Sequence, residues 1–230
     1  MIIYTVALFF CFLMFLFVLY VTAKEDIVFI KRNISLEMIY NVAFLGTLIG
    51  IISARFLYAL GNLQGGVFHP IGFFLLFHRP GLSLIGGILG GFLFLFWHAY
   101  KKKYPLGRLF DYFSLALLSV MPFGFFASLF LSQQINFFQS IYMPVIYLIL
   151  LFLLLRFLYP LFLRGEMGNG VIGSMFLLTF AFITVVTHFA NNQKGLIFFL
   201  GLEDFVAIGI VIGFLVFLIR QERSNKKVHR

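Results

Sequence analysis

The stretch RPGLSLIGGILGG, residues 79–91, organises this chain, because it opens a long apolar run and carries two pairs of glycines. Gly86 and Gly90 are four residues apart, and so are Gly87 and Gly91, so on a helix each pair lies on one side. A membrane helix with such a face lets a neighbouring backbone or a lipid chain approach closely. Two interpretations follow: a helix-packing face, or the floor of a lipid site.

The composition indicates a polytopic membrane protein. Of the 230 residues, 62% are hydrophobic and only 11% are charged, whereas a soluble domain carries roughly 25% charged residues. The single cysteine, Cys11, excludes an internal disulfide and any multi-cysteine metal site. No Ser-His-Asp arrangement, metal cluster or phosphate-binding loop is recognisable either, and we predict neither a metal site nor a cofactor.

Seven apolar runs approach the length of about 20 residues that a membrane-spanning helix needs. The predicted spans cover about 2–22, 37–60, 82–100, 109–132, 138–162, 171–190 and 203–220. The predicted fold class is therefore all-α, with seven transmembrane helices. One transmembrane domain takes up residues 1–222, and residues 223–230 form a basic tail.

The basic residues behind the net charge of +9 are concentrated in alternate connections between the apolar runs. Most of the 17 Lys and Arg residues follow the first, third, fifth and seventh runs, and the intervening connections hold few. The positive-inside rule then places the N-terminus outside and the C-terminus in the cytoplasm. Because these cations sit in short loops between apolar runs, they indicate lipid headgroups as their surroundings, and we predict no nucleic-acid partner.

Polar residues inside the runs are candidates for function, because charge in hydrocarbon is costly. Arg55 lies near the outer end of the second run, where it either snorkels to the interface or clamps a phosphate with its guanidinium fork. His188 is either an interfacial residue or a base, and Ser128 either caps its helix or lines a polar pocket. Asp111 is predicted to act as an acid in the first turn of its own helix.

Several motifs occur in the order in which they are found in one known family. Residues 53–58 contain Ser-Ala-Arg-x-x-Tyr, which resembles Gly-Ala-Arg-x-x-Tyr. Residues 80–87, Pro-Gly-Leu-Ser-Leu-Ile-Gly-Gly, resemble Gly-Gly-Leu-Ser-Phe-His-Gly-Gly, and a basic stretch then leads into Leu-Phe-Asp at 109–111. Over nearly its whole length, the chain resembles the prolipoprotein diacylglyceryl transferase family.

The resemblance implies a reaction and a set of partners. Members of this family transfer diacylglyceryl from phosphatidylglycerol to the cysteine of a prolipoprotein in the bacterial plasma (inner) membrane. The expected partners are phosphatidylglycerol or another anionic phospholipid, and a prolipoprotein lipobox peptide. The polar and glycine residues of the runs, taken together with this resemblance, predict the lipid-binding residues Arg55, Tyr58, Ser83, Gly86, Gly87, Gly90, Ser128 and His188, although no family motif assigns His188 a role.

The chain differs from the family at the positions where the family has its reactive side chains. Ile85 stands at the histidine position, and Phe125 and Gln133 stand where the family signature has arginine and glutamate. Such groups stabilise a leaving phosphate and deprotonate a thiol, so no catalytic residue is assigned. Two hypotheses remain: a diverged transferase, and a non-catalytic phospholipid-binding or scaffold protein, the second being preferred. An unrelated transporter is disfavoured, because no repeated pair of broken helices is present.

Overall fold

The computed structural model describes residues 2–24, 26–61, 82–129, 137–164 and 167–191, together with Gly209. All the secondary structure in these ranges is helical, with no strand. The elements are α1 (Ile2–Ala23), α2 (Ile27–Lys31), α3 (Leu36–Gly61), α4 (Leu84–Lys102), α5 (Leu106–Leu129), α6 (Phe137–Leu153), a π-helical turn (Leu154–Leu158), α7 (Tyr159–Leu163) and α8 (Val171–Asn191).

Five helical segments are long and apolar enough to cross a membrane, and α8 contains a shorter apolar segment, Val171–Thr187. The five are Val6–Ala23, Leu36–Leu60, Leu84–Lys102, Leu106–Ala127 and Ile141–Phe162. The all-α expectation is therefore confirmed for the described residues, and the five candidate spans support a membrane protein. The seventh predicted span, 203–220, lies outside the described residues apart from Gly209, so the count of seven and the orientation stay predictions.

The chain divides into two compact units. The first comprises Met1–Tyr40 and Gly107–Phe176, and the second comprises Asn41–Leu106 and Leu177–Arg230. The prediction of one transmembrane domain over residues 1–222 is left open by this division.

Aromatic contacts tie the helices of the first unit together. The rings of Phe15 on α1 and Phe113 on α5 meet edge to face, with centroids 5.9 Å apart. Phe125 on α5 stacks on Tyr147 of α6 at 5.1 Å, with the two planes 9° apart. Both are favourable ring geometries, so the high aromatic content of the sequence contributes directly to helix packing here.

A wide turn interrupts the long helical segment formed by α6 and α7. Within Leu154–Leu158, the N–H of Tyr159 bonds to the carbonyl of Leu154, five residues back. Pro160 follows immediately, and a proline removes one backbone donor and clashes with the carbonyl four residues before it. The π turn relieves this conflict without ending the helix, as such one-turn expansions do in other helices.

In the second unit, α3 and α4 cross with their backbones in close approach. A Cβ atom added at Gly86 would lie 2.8 Å from the carbonyl oxygen of Ser53 and 3.1 Å from the Cα of Ala54. One at Gly50 would lie 3.1 Å from the carbonyl oxygen of Gly87. Membrane helices associate through such small-residue faces because lipid provides no hydrophobic drive between them. At these positions the glycine face packs against a helix, and its contact with lipid stays a prediction.

The two ends of α4 are fixed by local bonds. At its start, the Ser83 hydroxyl accepts a hydrogen bond from the N–H of Gly86 at 3.2 Å, as an N-cap residue does. At its end, Lys103 adopts a left-handed conformation with φ of 57°, which stops the helix after two lysines. Cations in the last turn also interact favourably with the negative end of the helix dipole.

We expect Gly86→Ala to lower the free energy of unfolding by about 1–3 kcal/mol, because overpacking of a close contact costs that much. The added methyl group would meet backbone atoms of α3, which cannot move aside as a side chain would. Chemical unfolding in a mild detergent measures the effect.

Gly124→Ala is the matched control, since a Cβ atom at Gly124 has no neighbour within 4 Å. It replaces a helical glycine by a better helix former, so we expect it to be neutral or stabilising. Equal stability of the two variants would contradict the close crossing of α3 and α4.

Candidate functional site

Arg55, the first predicted site residue, is buried on α3, with only 2% of its surface exposed. Its neighbours Ile52 and Phe56 are more than half exposed, so α3 turns its apolar side outward and the arginine away from the surface. The snorkelling interpretation requires a charge that reaches the surface, whereas this side chain is enclosed.

The guanidinium group of Arg55 lies against the ring of Tyr58, with its central carbon 5.7 Å from the ring centroid. A cation over an aromatic face is stabilised by the ring quadrupole, more so when water is excluded. Arg55 has further interactions in the structure and is not an isolated charge. The pair places a positive charge and several N–H donors on a buried residue beside the phenol of the half-buried Tyr58.

The start of α4 is attached to the same turn of α3. The backbone N–H of Ser83 donates to the carbonyl oxygen of Ala54 at 3.1 Å, directly beside Arg55 in the chain. Gly86 packs on Ser53 and Ala54, and a side chain at Gly90 would overlap Ser53. The structure thus brings the predicted residues of α4 to the turn that carries the arginine.

Two other predicted site residues are placed by their backbone alone. Ser128 lies in the last turn of α5, and His188 lies near the end of α8. Their side chains are outside the described residues, so their approach to Arg55 stays a prediction.

A second polar cluster, not predicted from the sequence, lies in the first unit around Asp26. The Asp26 carboxylate accepts hydrogen bonds from the backbone N–H groups of Val28, at 2.6 Å, and Phe29, at 3.3 Å, and so caps α2. The hydroxyl of Tyr112 donates to the same carboxylate, and Arg108 forms an ion pair with it at 3.7 Å. A buried acid is thereby both paired and hydrogen-bonded, as low-dielectric surroundings require.

Aromatic rings surround this ion pair. The guanidinium carbon of Arg108 lies 4.4 Å from the centroid of the Phe162 ring. The Tyr112 ring packs edge-on against Phe162 and tilted against Phe29, at 5.6 Å in both cases. The cluster therefore joins the loop after α1, the beginning of α5 and the end of α7.

Asp111 connects two helices of the first unit and does not have the role predicted for it. It accepts hydrogen bonds from the backbone N–H groups of Gly170, at 2.7 Å, and Gly173, at 2.9 Å. Because α5 begins at Leu106, Asp111 lies beyond the first turn of its own helix. Its carboxylate instead satisfies amides at the start of α8, which have no partner within that helix. The prediction of a first-turn acid was wrong in this respect.

The sequence does contain signals for both acids, although they are weak. Asp26 stands in a basic loop directly before the short apolar piece Ile-Val-Phe-Ile, which matches an N-cap before a helix. Asn169-Gly170 precedes the apolar run of α8, so the beginning of that helix needs an acceptor from elsewhere. Neither signal identifies the partner residue, because the partners are distant in the chain.

Among the described residues, no group of three or more His, Cys, Asp and Glu side chains could hold a metal ion. The two clusters described above each contain an arginine beside an aromatic ring. No protein-family model matches the sequence, and no curated protein matches it as a relative.

We expect Tyr112→Phe to lower the free energy of unfolding by about 1–3 kcal/mol, because the buried Asp26 carboxylate loses a hydrogen-bond donor while the ring contacts remain. Chemical unfolding in detergent measures the change. Tyr100→Phe makes the same chemical change at a side chain that is 81% exposed, and we expect an effect within about 0.5 kcal/mol. Equal effects of the two changes would refute the role given to the Tyr112 hydroxyl.

Proposed function

We propose that this chain is a multi-pass membrane protein that holds the headgroup of an anionic phospholipid, phosphatidylglycerol first among them, through Arg55. The observation that carries the proposal is an arginine that is only 2% exposed on an apolar candidate membrane helix. Ionisable groups inside membrane segments are costly and generally functional. A guanidinium fork also matches two oxygens of a phosphate, which gives a buried arginine a specific ligand.

The neighbouring residues have distinct parts in this proposal. Tyr58 flanks the guanidinium group and offers a hydroxyl to the headgroup, and Ser83 lies where the start of α4 meets the turn of Arg55. Gly86, Gly87 and Gly90 keep that turn and α4 together. Ser128 and His188 stay lipid-binding residues predicted from the sequence.

We propose the complete topology from the sequence. The alternation of strongly basic connections with connections that hold few cations supports seven spans, with the N-terminus outside and the C-terminus in the cytoplasm. The resemblance to prolipoprotein diacylglyceryl transferases supports the bacterial plasma membrane as the location. In this topology Arg55 lies near the outer leaflet.

The protein, in our proposal, is a divergent relative of those transferases that binds the lipid without transferring it. The positions at which the family carries its histidine, arginine and glutamate hold Ile85, Phe125 and Gln133. Removing one transition-state donor commonly lowers a rate by about 10²–10³. Several such losses together favour a binding or scaffold role over catalysis.

We expect lipid that co-purifies with the protein in a mild detergent to be enriched in phosphatidylglycerol relative to the membrane of the expression host. Arg55→Ala should remove this enrichment, because a charged hydrogen-bonded pair contributes about 1.5–3 kcal/mol, or roughly 10–150-fold. Arg55→Lys should retain part of it, since lysine keeps the charge and loses the fork. Lipid mass spectrometry measures the ratio of anionic to neutral phospholipid.

Arg156→Ala is the control, because Arg156 is an exposed arginine in the π turn and its removal changes the net charge equally. We expect it to leave the enrichment unchanged. Equal recovery of anionic and neutral lipid by the unaltered protein would defeat the proposal. If a folded Arg55→Ala variant keeps the full enrichment, the guanidinium group of Arg55 interacts with a partner within the chain and does not bind the lipid.

Catalysis has a separate test. Purified protein mixed with phosphatidylglycerol and a lipobox peptide should release no more glycerol phosphate than a protein-free mixture, because the reactive positions are replaced. Release above that background, abolished by Arg55→Ala, would make the chain an active transferase. That result would retain the lipid site and overturn the non-catalytic assignment.

A further inference from the structure

The short helix α2 and its flanks, residues 26–33, form a closed turn that we call the basic turn. It begins at the Asp26 cap and ends at Asn33, whose φ of 53° lies in the left-handed region. The N–H of Arg32 bonds back to the carbonyls of Val28 and Phe29, at 3.2 Å each. This turn connects the candidate span that ends at Ala23 to the one that begins at Leu36, so it lies at a membrane boundary.

The two sides of the basic turn differ in chemistry. Phe29 is 2% exposed and packs against Tyr112, which anchors the turn to the first unit. Ile30 is 62% exposed, and Lys31 and Arg32, which follow it directly, are exposed as well. An apolar side chain beside two cations suits the boundary between acyl chains and anionic headgroups.

The acids that the structure describes in the first unit leave these cations largely uncompensated. Asp26 and Asp111 are buried and bonded to groups inside the unit, so they do not face the exposed lysine and arginine. Lys24, before the turn, is a further exposed cation. Among the described residues of this unit, Glu37 is the one exposed carboxylate, and the excess charge outside is positive.

We propose that the basic turn binds the headgroup of an anionic phospholipid in the leaflet at which α1 ends. Lys31 and Arg32 contact the phosphate, and Ile30 inserts beside the glycerol backbone of the same lipid. This site uses none of the residues assigned to the Arg55 site, and Arg55 itself belongs to the other unit. Each cation near an anionic leaflet strengthens binding by about fivefold, so the pair is expected to contribute about 25-fold.

A tryptophan reporter at position 30 tests the proposal. Trp97, the single tryptophan and more than half exposed, is first replaced by Trp97→Phe, and Ile30→Trp is then introduced. The full chain is reconstituted into phosphatidylcholine vesicles that contain an equal small fraction of brominated phosphatidylglycerol or brominated phosphatidylcholine. We expect stronger quenching by the anionic lipid, and loss of that preference in the double variant Lys31→Gln/Arg32→Gln.

Two controls separate a site from general surface charge. Lys101→Gln/Lys102→Gln removes the same charge from two exposed lysines at the end of α4 and should leave the preference unchanged. Arg55→Lys should also leave it unchanged, which keeps this test independent of the proposed function. Equal quenching by the two lipids would overturn the proposal. Loss of preference in the Lys101/Lys102 variant would do so too, because it would assign the effect to the whole surface.

Discussion

The second unit depends on the close contact between the backbones of α3 and α4 where these helices cross. Lipid is as apolar as the helix surfaces, so van der Waals contact and hydrogen bonds must hold the helices together. Gly86 allows the carbonyl of Ser53 to approach to a distance that any side chain would prevent. The Ser83–Ala54 hydrogen bond then fixes the start of α4 beside Arg55.

Buried acids do similar work in the first unit. Asp26 and Asp111 are the buried acids among the described residues, and both accept backbone N–H groups at the start of a helix. The backbone N–H groups at the start of a helix have no hydrogen-bond partner within that helix. Where water is scarce, a carboxylate held in place nearby supplies the missing acceptor. Each acid therefore stabilises a helix end and at the same time joins parts of the chain that are distant in sequence.

The predictable parts of the structure are those that depend on local sequence. The lengths of the apolar runs predict the long helices α1, α3, α4, α5 and α8 and the α6–α7 segment. They can do so because the length needed to cross hydrocarbon is a property of consecutive residues. The glycine spacing predicts a packing face on α4 but does not identify α3 as its partner. Asp111 was misassigned because the amides that it caps lie 59 and 62 residues further along the chain. The Asp26–Tyr112 bond spans 86 residues, a pairing that no local pattern specifies.

The π turn at Leu154–Leu158 determines which side of α7 faces the Asp26 cluster. One additional residue in a turn rotates everything after it by about 100° about the helix axis. Phe162 lies four residues beyond the turn and reaches the guanidinium group of Arg108 in this register. A chain shortened by one residue here would present a different side chain to that cation. An insertion or deletion between Leu154 and Phe162 would therefore rotate α7 about its axis. The contact of Phe162 with Arg108 thus depends on the number of residues in this segment as well as on their side chains.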